Sequence, residues 1–110
     1  MDTKSNLLNM ETIRKYINNG QEYFTRHCLN RIQQRNISIK DVKNCIQNEE
    51  IIEYYDNDYP YESCLIFGYS ENNKVMHVVC GINSEKLFIV TAYYPGDIEW
   101  ENDYKTRRKK

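Results

Sequence analysis

Apolar residues at Leu7, Met10, Ile13 and Ile17, with Tyr16 alongside, recur at the spacing of a helix that buries one face. Gly20, following Asn18 and Asn19, supplies a stop, because glycine takes left-handed backbone without a steric penalty. Thr25 caps a second helix over about Arg26 to Gln34, whose apolar stripe is Cys28, Leu29 and Ile32. Asn36 then takes the left-handed position that ends it. Ser38 and Asp41 resemble a capping box with Asp in place of the usual Glu. They open a third helix that carries Ile39, Val42, Cys45 and Ile46 and stops near Asn48.

Beyond this point the period shortens to two. Ile51–Tyr55 reads as a first strand, followed by a turn-rich loop from Asp56 to Pro60. Cys64–Tyr69, Val75–Ile82 and Leu87–Tyr94 read as three more strands, rich in β-branched and aromatic residues. Their short polar loops join antiparallel neighbours. The pattern therefore predicts an α+β fold: N-terminal helices packed on a four-stranded antiparallel β-meander. All 110 residues form one domain, with an N-terminal helix over 1–22, a core over 23–94 and a basic tail over 95–110.

The third and fourth strands are apolar on both faces, so both faces need a cover. The helices supply one. The C-terminal tail, a second copy of the chain or a partner protein must supply part of the other. A loop from Asn83 to Lys86 pairs Ile82 with Leu87. That register sets His77 opposite Ala92, with Tyr94 diagonal on the same face and an open space above Ala92.

Composition narrows the class. Apolar residues make up 40% of the chain and glycine and proline are few, which excludes global disorder. No apolar run approaches the about 18 to 20 residues that a membrane span needs, and the polar N-terminus carries no secretory h-region. A cytoplasmic protein with no membrane partner is expected. None of Cys28, Cys45, Cys64 and Cys80 lies in a C-x-x-C pair, so no zinc site is indicated and buried free thiols are expected.

The net charge of −1 conceals an uneven distribution. Arg26, Arg31, Arg35, Lys40 and Lys43 face one acid within their segment. Glu49–Glu62 holds six acids and no base, and Lys105–Lys110 holds five bases and no acid. Local basic patches of this kind suit phosphates; a solvated tail is the plain alternative.

The candidate chemistry is concentrated in a few side chains. His27, Arg31 and Arg35 lie in one row on the second helix. Such a row can hold a phosphate beside a histidine that titrates near neutrality, or it can be a solvated polar face. His77, in an apolar strand near Tyr94, is either a catalytic acid or base or a buried histidine with its hydrogen bonds satisfied. The tail adds Trp100, Tyr104, Arg107 and Arg108, a mixture of aromatics and bases used to stack on bases and grip phosphates. Together these groups fit metal-free RNA cleavage: a base takes the ribose 2′-hydroxyl proton, arginines stabilise the phosphorane charge, and an acid protonates the leaving oxygen. The acidic stretch has no spacing of a metal loop, and no cofactor is expected.

From Phe24 to Arg108 the chain resembles a bacterial family of domains of unknown function, DUF4258. The resemblance rests on Thr25-Arg26-His27, Arg31, Arg35-Asn36-Ile37-Ser38, Glu50-Ile51-Ile52-Glu53, Asp58-Tyr59-Pro60 and Cys64-Leu65. It continues through His77-Val78-Val79, Thr91-Ala92-Tyr93, Trp100 and Asp103–Arg108. It departs from the family pattern at Asn36 and Asn48, where glycine is expected; Asn tolerates the same backbone region. The resemblance implies kinship with RelE-like and MqsR-like toxins in a RelE/barnase-like architecture. It also implies an RNA-cleaving toxin of a type II toxin–antitoxin pair, with a small zinc-finger antitoxin as partner. Its recurrent polar positions fall on His27, Arg31, Arg35, His77, Thr91 and Arg107. The expected catalytic set is thus His27, His77, Arg31 and Tyr94, and the expected substrate-binding set is Arg35, Thr91, Tyr104, Arg107 and Arg108. A homodimer is a further expectation, and a non-catalytic RNA- or protein-binding module is the alternative.

Overall fold

The computed structural model describes residues 8–56 and 62–109. Leu7 and most of the loop predicted for Asp56 to Pro60 lie outside the described residues.

Three helices form where the caps place them. Helix α1 (Met10–Asn18) begins at Asn9, whose side chain accepts from the Thr12 N–H, and Gly20 beyond its end has φ of +72°. Helix α2 (Arg26–Gln34) is capped by Thr25, and Asn36 after it has φ of +58°, the left-handed turn expected there. Helix α3 (Ile39–Asn48) opens with a complete capping box between Ser38 and Asp41. The apolar stripes are buried through Ile13, Ile17, Cys28, Ile32, Val42, Cys45 and Ile46. Leu29 and Ile39 depart from expectation: both are more than two-fifths exposed, because the helices touch the sheet along a narrower stripe.

The sheet has five strands, not four, and is mixed. Strand β1 (Glu22–Phe24) pairs parallel with β5 (Leu87–Tyr93); β2 (Glu50–Tyr55), β3 (Ser63–Tyr69), β4 (Val75–Ile82) and β5 form the expected antiparallel meander. The order is β1-β5-β4-β3-β2. The sequence reading missed β1 because three residues are too few for an alternating pattern to show.

Two bulges decide what each face carries. In β5, Cys80 pairs with Ile89 but Val79 pairs with Thr91, leaving Val90 as an extra residue. An extra residue reverses the parity of everything beyond it. Ala92 therefore joins Leu87 and Ile89 in the helix-side core, and His77 faces Tyr93, not the predicted Ala92. No open space lies over Ala92, and Tyr94 falls just past the strand. In β2 the extra residue is Ile52, which places Ile51 against the helix-side core and Glu53 opposite Leu65 on the other face.

That other face is closed by the tail. Trp100 is buried, and a Trp100–Arg107 bridge folds the tail into a loop fastened by bonds from the Glu101 N–H to the Thr106 carbonyl and from the Arg108 N–H to the Glu99 carbonyl. All four cysteines are buried and free, as expected. Among the described residues, no helix is long and apolar enough to cross a membrane.

Candidate functional site

On β4 the imidazole of His77 has no solvent exposure. Its Nε2 lies 2.7 Å from the Tyr104 carbonyl oxygen, which can only accept, so Nε2 carries the proton. Nδ1 is then the acceptor for the Tyr93 hydroxyl, a long contact of 3.4 Å. The Trp100 ring meets the imidazole edge to face, with centroids 4.6 Å apart. Burial lowers the His77 pKa; the Tyr104 carbonyl and Glu53 raise it and Arg107 lowers it further, with a net downward shift. At neutral pH His77 is a neutral, satisfied group beneath the tail.

Glu53 and Arg107 form a two-pronged pair, at 2.8 Å from Nε and 3.2 Å from Nη2. The Tyr55 hydroxyl donates to the same carboxylate. Burial raises the Glu53 pKa, but the Arg107 and Tyr55 hydrogen bonds outweigh it and hold the group below the ordinary carboxylate range. The Arg107 guanidinium also lies 4.5 Å from the Trp100 ring centre. At the other end, the Arg35 Nη1 wraps round the edge of β5 to the Ala92 carbonyl at 2.8 Å and the Thr91 hydroxyl at 3.3 Å. No described carboxylate pairs with Arg35.

Between these two arginines lies a cleft of about 500 Å³, lined by Arg35, Tyr93, Tyr94, Glu99, Trp100 and Arg107. A helix end, the last strand and the tail each contribute. The cleft offers two guanidinium groups, three aromatic rings and one carboxylate. Burial raises the Tyr93 pKa, so its phenol stays protonated and can donate.

The remaining expected site residues are placed as follows. His27 and Arg31 are exposed on α2; Arg31 touches Gln34 at 3.5 Å, and His27 sits about 12 Å of helix rise before Arg35. Neither lines the cleft. Thr91 is held by Arg35. Tyr104 takes φ of +57°, donates through its hydroxyl to Asp97 and offers its carbonyl to His77, so it fastens the tail. Arg108 also serves the tail, reaching the Asp97 carbonyl, Glu101 and Asn102. Tyr93, Glu99 and Glu53 were not anticipated. Finding Tyr93 requires knowing the Val90 bulge, which a β-branched residue in a strand run does not announce. Among the described residues, no three His, Cys, Asp or Glu side chains gather as a metal site.

The model of the family described as domain of unknown function (DUF4258) matches residues 24–94, and the chain belongs to that family. The matched span holds Arg35, Tyr93 and Tyr94; Glu99, Trp100 and Arg107 lie in the tail beyond it. No curated protein and no solved structure matches the chain.

Proposed function

We propose that this protein is an RNA-cutting toxin of a bacterial type II toxin–antitoxin pair, cytoplasmic, with a RelE-like or MqsR-like architecture. One observation carries the reading: Arg35, Tyr93, Trp100 and Arg107, from three separate parts of the chain, converge on one concave surface. Guanidinium groups at both ends suit a phosphodiester, and the exposed Tyr94 ring between them suits a stacked base. Arg35 and Arg107 hold the scissile phosphate. The 2′-hydroxyl attacks phosphorus as its proton passes to water, and the neutral Tyr93 phenol, turning its hydrogen from the long His77 Nδ1 contact to the ligand, protonates the departing 5′-oxygen. His77 cannot touch substrate, so it acts as a positioning residue that orients Tyr93. His27 and Arg31 continue the basic row of α2 and meet the RNA backbone outside the cleft. A small antitoxin of zinc-finger type, whose acids match the two arginines, covers the cleft; a second copy of the chain is the other candidate cover.

The test is induced expression in a bacterial host, together with RNA digestion by the purified chain in chelator. Growth arrest and products ending in 2′,3′-cyclic phosphate are expected, with Arg35→Ala about a hundredfold slower. Wild type that neither arrests growth nor cuts RNA, and that does not differ from Arg35→Ala, overturns the reading. The burial of His77 and the distance of His27 from the cleft favour a second reading, a non-catalytic RNA- or protein-binding module. RNA bound in an Arg35-dependent manner but left intact would establish its RNA-binding form.

A further inference from the structure

Glu99 is the cleft residue that phosphate binding does not explain. Its carboxylate makes no hydrogen bond or ion pair among the described residues, although Arg35 and Arg107 line the same space. Glu99 is exposed and water solvates it in the free protein, but a phosphate seated on Arg35 and Arg107 sets a second negative charge beside it unless the ligand also brings a partner for the carboxylate. The ligand class already argued for supplies that partner, since a nucleobase lodged against aromatic walls presents its Watson–Crick edge. A carboxylate can only accept, through two oxygens side by side. Guanine alone among the four RNA bases carries two adjacent N–H donors on that edge, N1–H and the 2-amino group. Adenine and cytosine each offer a single amino group, and uracil a single N–H.

We infer that Glu99 reads guanine: the cleft takes a guanine nucleotide, its base against the exposed Tyr94 ring, its N–H pair on Glu99 and its phosphate on Arg35 and Arg107. This rests on the RNA reading above and adds base selectivity to it. A volume of about 500 Å³ accommodates one nucleotide. Selectivity arises because a smaller set of donors leaves one carboxylate oxygen desolvated and unpaired. Glu99 lies outside the family-matched span, in the tail that also carries Arg107, whereas Arg35 of the phosphate grip lies within the span.

Trp100 is the only tryptophan, so its fluorescence reports occupancy of the cleft directly. The full chain is titrated with guanosine, adenosine, cytidine and uridine 3′-monophosphates and with inorganic phosphate, and the series is repeated on Glu99→Gln. Guanosine monophosphate is expected to bind at least about tenfold more tightly than the other three. Glu99→Gln, which turns one acceptor into a donor, is expected to reduce that preference to less than about threefold. Inorganic phosphate should bind the variant as well as, or better than, wild type. Equal affinities for the four nucleotides, or a guanine preference that survives in Glu99→Gln, overturn the inference and leave the RNA reading standing. Failure of every nucleotide and of phosphate to bind a chain that melts cooperatively overturns both.

Discussion

His77 shows how a titratable side chain can matter without touching a ligand. Its two nitrogens join β4 to the tail carbonyl of Tyr104 and to the hydroxyl of Tyr93. Burial depresses its folded pKa below the ordinary value of about 6.5. The unfolded chain therefore binds the proton more readily, and stability falls as pH drops through about 6.5 toward the lowered folded value. Glu53 behaves oppositely in origin: its depressed pKa contributes stability above the ordinary carboxylate range, lost only in stronger acid. The two effects occupy separate windows. Thermal melts at pH 7.5 and 5.5 should show wild type losing stability over this interval. His77→Gln keeps a donor for the Tyr104 carbonyl but cannot titrate. It should cost about 1–3 kcal/mol at pH 7.5 and show a much flatter response to pH. An equally steep pH response in the variant would remove His77 from the account. At this scale the sequence was informative about identity and not about setting. Residue type and spacing point to Arg35, Arg107 and His77, and the family resemblance adds Thr91; all four gather around one cleft or directly beneath it. What spacing could not show is that His77 is sealed and that Arg108 is spent on the tail's own Asp97 carbonyl, Glu101 carboxylate and Asn102 amide.

The elements were legible wherever a side chain announces a boundary. Thr25, Ser38 with Asp41, Asn36 and Gly20 each mark a helix end by a local hydrogen bond or a backbone preference, and each does so in the structure. Strand register was legible only up to the bulges. Counting back from the Ile82–Leu87 pair is correct as far as Cys80, and Val90 then shifts everything after it by one residue. Nothing in a valine among strand residues signals an insertion, because the cause lies in the packing: Ala92 must enter the core beneath α2 while Tyr93 meets His77. Gly68 in β3 presents a related close fit that can be tested. A Cβ there would lie 2.2 Å from the Cys45 carbonyl oxygen and 2.8 Å from its Sγ. Gly68→Ala should therefore push α3 off the sheet and destabilise by about 1–3 kcal/mol in denaturant titration. Adding Cys45→Ala should recover little, since the carbonyl remains. Full recovery would mean that the thiol alone sets the limit.

At the scale of the whole molecule, an apolar sheet sits between two different covers. The helices bury one face through side chains that the periodicity revealed. The other is closed by the tail, one of the covers that the doubly apolar strands require, through Trp100 packed on His77. The same closure builds the cleft, because the tail brings Arg107 and Glu99 opposite an arginine from the end of α2. The two arginines are not equivalent. Arg107 is already neutralised by a two-pronged Glu53 carboxylate, whereas Arg35 holds only a carbonyl and a hydroxyl. A phosphate arriving at Arg35 replaces loosely associated counterions, but at Arg107 it competes with a fixed carboxylate. RNA affinity should then fall linearly with the logarithm of salt concentration. Arg35→Ala should reduce that slope by about one and Arg107→Ala by clearly less. Glu53→Gln should separate the cases further by freeing Arg107, so that in its background Arg107→Ala costs as much slope as Arg35→Ala does. Equal losses for the two arginines in the wild-type background would show that Glu53 yields to the ligand without cost. The pair would then be a latch for the tail rather than a regulator of phosphate binding.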